Sequence, residues 1–494
     1  MLDAQTCSEL DRQPQLPIDD LDCQEPTIAL LHCYDLIDDF LDSIDLSFEA
    51  FCQVFVGSWM FGYVNALQQA GVRTVLFCVS ARVDRVSRYR HEPTGATLCV
   101  LPASPAYRRY CRLRDRLLRS YGGSAGQAFK DISDANFARK SALTKLKDLV
   151  KSVGTYVSTP LDLLARELKQ EGCRAILCQE YEFARFDACV WLGKRIDLPV
   201  FATFQGGTQT QSLLEYPFRQ LAFRSCQGVI VATQTEIERI RQCYQLPDAK
   251  IARIFNPIDL TNWQQGDRTV ARAALGIPGN ARVAVWHGRV EIERKGLDLL
   301  LDAWERVCRD RPDLDLRLLL VGTGSDAAKL HQRLADRPLP SAIWIDEFIN
   351  DPMRIQQYLA AANVYVMSSR QEGFPIAPLE AMACGLPVVA TDAPGIPDIL
   401  EQGELSGGLR VPSNDVPALA TAIGRVLDDL DWATQLGQRA RSRVAAQFSA
   451  QSVGQQLRNF LLSDSELATD AERPAQTQPL TSFEKFNYQN SCQK

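Results

Sequence analysis

The 494-residue sequence predicts an α/β protein of doubly wound parallel sheets, spread over two large domains. Three observations carry that expectation. At about 100 to 200 residues per domain, the chain is too long for one core. Short apolar runs (Ala175 to Gln179, Val200 to Phe204, Gly228 to Ala232) alternate with helical stretches such as Leu161 to Glu171. The stretch from Glu372 to Ala390 reads as a loop, one short helix and a buried strand, the unit from which such sheets are made. With 46% hydrophobic and 23% charged residues the composition is that of an ordinary soluble globular protein, and no apolar run reaches the length of a membrane span.

Residues 1–26 mix acids, Gln and Pro without periodicity and read as a mobile leader without the basic and apolar regions of a signal peptide. The first 49 residues hold thirteen acids against Arg12, so a net charge of −6 conceals an acidic lead before a mildly basic body. Thr27 to Cys33 reads as the first strand, Asp35 to Glu49 as an acidic, partly amphipathic linker, and Phe55 to Leu67 as a turn at Gly57 entering a helix. Arg73 to Ser80 is the second strand. Ten arginines then fall between positions 82 and 119, and Tyr107 to Arg119 has the stripe of a basic amphipathic helix carrying Arg108, Arg109, Arg112 and Arg116. Two readings stand side by side: a solvated face paired with nearby carboxylates, or contact with an anionic or lipid-linked acceptor at an anionic membrane surface. Lys140 to Val150 also reads as helix. Fifteen Cys without a C-x-x-C pair read as reduced thiols of a cytosolic protein, and four dispersed His offer no metal site.

In the second half, Ala284 to Arg289 reads as a strand and Lys295 to Leu300 as the start of its helix, so that Arg289 and Lys295 bracket a loop where two cations can neutralise a diphosphate. Leu318 to Val321 is a strand followed by a turn at Gly322 and Gly324. A helix starting near Ile376 directs its free N–H groups at the carboxyl end of the preceding strand, where ligands of open α/β sheets bind. Glu372 lies in that loop and Glu380 about one turn into the helix. Carboxylates only accept hydrogen bonds, so the pair suits a hydroxyl-rich ligand such as a sugar or ribose; the alternative is a solvated loop residue and a surface one. Asp415 to Leu427, Trp432 to Ala446 and Gln451 to Leu462 read as helices, and residues 463–494 as a disordered tail.

Ser369-Arg370-Gln371-Glu372-Gly373-Phe374-Pro375, followed by Glu380-Ala381-Met382-Ala383-Cys384-Gly385-Leu386-Pro387-Val388-Val389, resembles the signature of the family-4 (group 1) retaining glycosyltransferases. That resemblance implies the GT-B fold, two facing Rossmann-like domains with the active cleft between them. It implies a nucleoside diphosphate sugar donor, with Glu372 approaching the sugar, Glu380 holding the ribose, and the backbone of Gly373, Phe374, Pro375 and Ile376 contacting sugar hydroxyls. Arg289 and Lys295 would stabilise the leaving diphosphate, with Arg294 an alternative in a loop one residue longer than usual. Gly288, Gly322 and Gly324 fall beside the nucleotide, and Phe348 and Ile349 fall where the base is sandwiched. In the N-terminal half, Gly57 matches a turn usually made by two close glycines, and Gln205 stands where His is frequent, so no general base is assigned to it.

Ile254 to Asp259 resembles the family's crossing between domains. The expected division is an N-terminal acceptor domain at 27–255, a donor domain at 256–445, and a helix at 446–462 returning to the first. No cofactor, metal or nucleic-acid partner is expected. Rival readings are a metal-dependent transferase, whose Asp-x-Asp triplets occur at Asp20, Asp313 and Asp429 by chance spacing, and a donor-binding protein without turnover.

Overall fold

The computed structural model describes residues 25–42, 46–56, 58–109, 111–112, 156–206 and 215–463. Gly57, Arg116, most of the acidic leader, Lys140 to Val150 and the tail lie outside the described residues.

Two parallel sheets organise the chain. The N-terminal sheet contains β1 (Thr27–Asp35), β2 (Arg73–Ser80), β3 (Ser87–Arg90), β4 (Thr97–Pro102), β5 (Cys173–Cys178), β6 (Val200–Thr203), β7 (Gly228–Val231) and β8 (Ile251–Arg253). Its order is β3-β4-β2-β1-β5-β6-β7-β8, with only β3 antiparallel to its neighbour. The C-terminal sheet contains β9 (Arg282–His287), β10 (Leu316–Val321), β11 (Ala342–Ile345), β12 (Val364–Met367), β13 (Val388–Thr391) and β14 (Gly408–Val411), in the order β11-β10-β9-β12-β13-β14. The chain reverses direction across each sheet once, between β1 and β5 and between β9 and β12. Those reversals open a crevice at the carboxyl ends of the flanking strands.

Both faces of each sheet are covered, which is why the strands read as continuous apolar runs. Along β1, Ile28 and Leu30 join one core with Met60, Val64 and Leu67, while Ala29 and Leu31 join the opposite core with Leu164, Phe186 and Phe223. Along β9, Val283 and Val285 face one core while Ala284 and Trp286 face the one holding Leu300 and Trp304. Helix starts are fixed by side-chain caps where the sequence supplies them: Asp267, Asp351, Asp415, Asp429 and Ser449 each accept from a backbone N–H of the first turn.

Three local expectations are corrected. The acidic stretch read as a linker from Asp35 to Glu49 contains structured elements: Asp35 ends β1 and is buried, accepting from Ile37 N at 3.0 Å and Ala81 N at 2.7 Å. The helix Phe48–Val54 that follows buries Phe48 and Phe51. The arginine-rich stretch is not one surface, because β3 and β4 run through it. Arg88 is ion-paired with Glu167 and, at 2.9 Å, with Glu171, and Arg82 pairs with Asp42. Lys295 does not open the long helix but closes a turn, Ile292–Lys295; Gly296, at a φ of +61°, separates it from the helix Leu297–Asp310.

The chain crosses between the sheets twice, and the crossings pair. Ile258 N donates to Phe448 O at 2.7 Å and Ala450 N to Ile258 O at 3.0 Å. The last helix, Ala450–Leu462, then packs on the helix Ser58–Gln69 of the N-terminal half, with Val453, Leu457 and Leu461 in its core. The approach is backbone-close: a Cβ at Gly454 would lie 1.9 Å from Ala66 O. Gly454→Val should therefore destabilise the protein by about 1–3 kcal/mol through overpacking. Denaturant unfolding checks the loss, and limited proteolysis should show cleavage concentrated in the last helix.

Candidate active site

At the reversal between β9 and β12, two loops leave the sheet side by side. The loop after β12 is laced to the turn Ile292–Lys295: Ser368 Oγ donates to Lys295 O at 3.0 Å and Arg370 N to Arg294 O at 2.9 Å. A Cβ at Gly296 would sit 1.9 Å from Ser368 O, so only glycine permits this contact. Arg370 completes the brace with a two-pronged ion pair to Asp298, at 2.8 and 2.6 Å.

This lacing fixes the register of the basic residues. Lys295 Nζ donates to Glu372 Oε1 at 2.7 Å, and Ser369 Oγ donates to the same oxygen at 2.7 Å. The Glu372 side chain is only 7% exposed. Arg294 turns away to Glu291, 3.5 Å distant, and Arg289 stands at the mouth, 69% exposed and 3.2 Å from Glu291. Lys295, and not Arg294, is thus the cation that meets Glu372.

The helix Ala377–Ala383 begins at Ile376 without a side-chain cap. Glu380, in its first turn, meets a residue that sequence reasoning missed: His287, the last of β9, lies with Nε2 2.7 Å from Glu380 Oε2. A histidine closing the apolar run Val283 to Trp286 was the available signal.

The glycines prove to be packing devices. At Gly322, with a φ of +130°, a Cβ would lie 2.0 Å from Gly288 O, and at Gly324 one would lie 2.4 Å from Val290 O. They let the loop after β10 lie on the loop after β9. Phe348 is exposed and Ile349 half-buried at the same edge of the sheet, after β11. Phe374 is buried, its ring 5.5 Å from Phe255 and 6.1 Å from Phe448, and Pro375 is buried beside it, so neither presents a side chain to the crevice.

The N-terminal half closes on this site through backbone. A Cβ on Gly206, which follows β6 at a φ of +98°, would lie 2.6 Å from Gly373 Cα, and one on Gly373 would lie 2.5 Å from Gly206 Cα. Gln205 is held by every polar group it has in that direction. Its N–H donates to Glu180 Oε2 at 2.9 Å, its Nε2 to Thr203 Oγ1 at 3.1 Å, and its Oε1 accepts from Asn256 Nδ2 at 3.2 Å; Tyr63 donates on to Asn256 at 3.2 Å. Glu180 and Asn256 were not singled out from the sequence.

Of the four arginines assigned to a basic helix, Arg108 pairs with Asp84 at 2.6 Å, while Arg109 and Arg112 are exposed. Among the described residues no group of three or more His, Cys, Asp or Glu is placed to hold a metal ion, and no helix is long and apolar enough to cross a membrane.

Residues 281–429 match the family model of the glycosyl transferases group 1. The chain carries a group 1 glycosyl transferase domain on a GT-B fold. It is 33% identical over 204 residues to the D-inositol 3-phosphate glycosyltransferase of Saccharomonospora viridis, covering 40% of this chain and 47% of that one. It is 29% identical to the lipopolysaccharide core biosynthesis glycosyltransferase LpsE of Rhizobium meliloti, over 51% and 68% of the two chains. The chain spans about half the length of the first of these relatives. In fold it is similar to the sucrose-phosphate synthase of Thermosynechococcus elongatus (TM-score 0.60, 20% identity, 88% and 97% coverage). Anabaena HepE in complex with UDP is comparable (TM-score 0.61, 16% identity, 89% and 100% coverage).

Glu180 supplies a pH test of this geometry. Burial pushes its carboxyl up to about 8, against an ordinary 4.5. The unfolded chain therefore loses that proton first, so the stability held below about pH 4.5 falls as pH rises towards 8 and then levels off. Glu180→Gln should flatten this slope and leave the protein relatively more stable at alkaline pH. Urea titrations at about pH 5, 7 and 9 measure it; parallel slopes in both proteins would contradict the assignment.

Proposed function

We propose that this glycosyltransferase moves a sugar from a nucleoside diphosphate sugar onto an acceptor with retention of anomeric configuration, as a hexosyltransferase. The observation that carries the reading is the convergence of Lys295, Glu372 and Glu380 on one strand-order reversal, with Gly206 of the other half against Gly373. The relatives named for inositol phosphate and lipopolysaccharide transfer, and HepE with UDP, support a nucleotide-sugar donor. In this reading residues 256–445 hold the donor, residues 27–255 the acceptor, and the helix within 446–462 ties the two.

Glu380 takes the ribose hydroxyls, Glu372 a sugar hydroxyl, and the backbone from Gly373 to Ile376 the rest of the sugar. As the C1–O bond to phosphate breaks, negative charge grows on the diphosphate, and in this reading Lys295 and Arg289 stabilise it. The acceptor oxygen bonds to C1 on the face the phosphate leaves, and its proton passes to the departing phosphate oxygen. Fixed cations meet the diphosphate, so the reaction is proposed to need no divalent metal.

Lys295→Ala should lower kcat by about 10²-fold, the scale of one preorganised charge, whereas Arg294→Ala should stay within about twofold because its exposed pair is worth little. Nucleoside diphosphate release is the readout, and turnover should persist in excess EDTA. Donor binding without any release would instead favour a binding protein.

The acceptor is proposed to be anionic or lipid-linked, met at the cytoplasmic membrane surface by Arg109 and Arg112. With Arg108 and Arg88 both ion-paired, the charge available is smaller than the arginine count suggests. Arg109→Gln with Arg112→Gln should weaken co-sedimentation with anionic vesicles by about 1 kcal/mol per charge and leave donor binding intact. Equal sedimentation of variant and wild type would sink the membrane contact.

A further inference from the structure

We propose that His287 is a positioning residue for the donor: it acts through Glu380, holding that carboxylate in the orientation in which it grips the ribose diol. This deepens the reading above and rests on the ribose role given there to Glu380.

A carboxylate only accepts, so the 2.7 Å contact between His287 Nε2 and Glu380 Oε2 requires the hydrogen on Nε2. The other ring nitrogen, Nδ1, is buried and has no hydrogen-bond partner among the described residues. The ring therefore presents its Nε2–H to Glu380, and one carboxylate oxygen is pinned.

The ring cannot easily turn away. It ends β9, only 9% of the residue is exposed, and Tyr365 of the neighbouring strand lies edge-on to it at 5.3 Å. Tyr365 also donates to the backbone oxygen of His287, at 3.3 Å. On the receiving side, the Glu380 side chain is 17% exposed, so it retains a face for a ligand. Glu380 Oε1 has no hydrogen bond within the protein among the described residues, which leaves that oxygen for a hydroxyl. A glutamate on a short helix would otherwise sample several rotamers, and binding a vicinal diol through two oxygens needs one of them.

The consequence is an effect on donor affinity separable from chemistry. His287→Ala should raise the Kd for nucleoside diphosphate, and the donor KM, by about tenfold or more, the scale of one hydrogen bond to a charged group, with kcat at saturating donor nearly unchanged. Substitution by amides separates positioning from packing. Gln places an N–H at the reach of Nε2 and should restore most of the affinity; Asn places it at the reach of Nδ1 and should not. A purely structural role would make both amides similar.

The decisive measurement is calorimetry of nucleoside diphosphate with wild type, His287→Ala, His287→Gln, His287→Asn, Glu380→Ala and the double alanine variant, each first checked for a native thermal transition. Loss in His287→Ala, recovery in His287→Gln alone and no added loss in the double variant would support the proposal. If Glu380→Ala loses affinity but His287→Ala does not, the positioning role is overturned while the ribose reading survives. If Glu380→Ala binds like wild type, the ribose reading fails and the proposal falls with it.

Discussion

The two halves of the molecule meet backbone to backbone at two glycines. Gly206 and Gly373 approach so nearly that a single methyl on either would overlap the other's backbone. Gly395 closes the same point from a third segment, where a Cβ would be 2.9 Å from Gly373 O. Around this contact the halves are held by unlike forces. Phe255, Phe374 and Phe448 form an apolar joint. Arg253 spans to Asp398 at 2.8 Å, and the same carboxylate oxygen accepts from Gln234 N at 2.9 Å. This contact between the halves is made by backbone, with side chains disposed around it.

Charge follows the same economy of position. Glu372 is nearly enclosed, and an enclosed carboxylate survives only with partners, so Lys295 and Ser369 both meet it. Arg289, largely exposed, is screened by water and its near pair with Glu291 adds little to stability. The N-terminal half is more heavily buttressed. Fully buried Arg219 meets Asp187 at 2.6 Å, and Arg239 joins Glu182 to Glu236. Removing one member would leave its partner charged in a low-dielectric interior. Glu182, in the loop after β5 that also carries Glu180, is thereby tied through Arg239 to the helix Gln234–Tyr244 that follows β7.

The arginine-rich stretch shows why counting charges misleads. By sequence Arg88 and Arg109 belong to one basic run. In the fold, Arg88 lies on β3 between two glutamates of the helix Leu161–Gln170 and its C-cap, while Arg109 faces solvent. A strand inserted in the run sends alternate residues to opposite faces, and a four-residue strand carries too little periodicity to announce itself.

The sequence alone determined the α/β class, the βα alternation, the helices Leu161–Gln170, Val416–Asp428, Leu430–Gln447 and Ala450–Leu462, and the loop bearing Glu372 and Glu380, because these depend on local periodicity and on one contiguous string of residues. It also read Arg289 and Lys295 into the segment between β9 and the next long helix, where they lie. What it left open needed neighbours distant in the chain. That Lys295 and not Arg294 meets Glu372 is decided by loops 77 residues apart lacing together. That His287 meets Glu380 depends on a strand and a helix 93 residues apart. That Gly206 must be glycine depends on a second glycine in the other half of the molecule. Local pattern reports what a segment prefers, and only packing reports what it is pressed against.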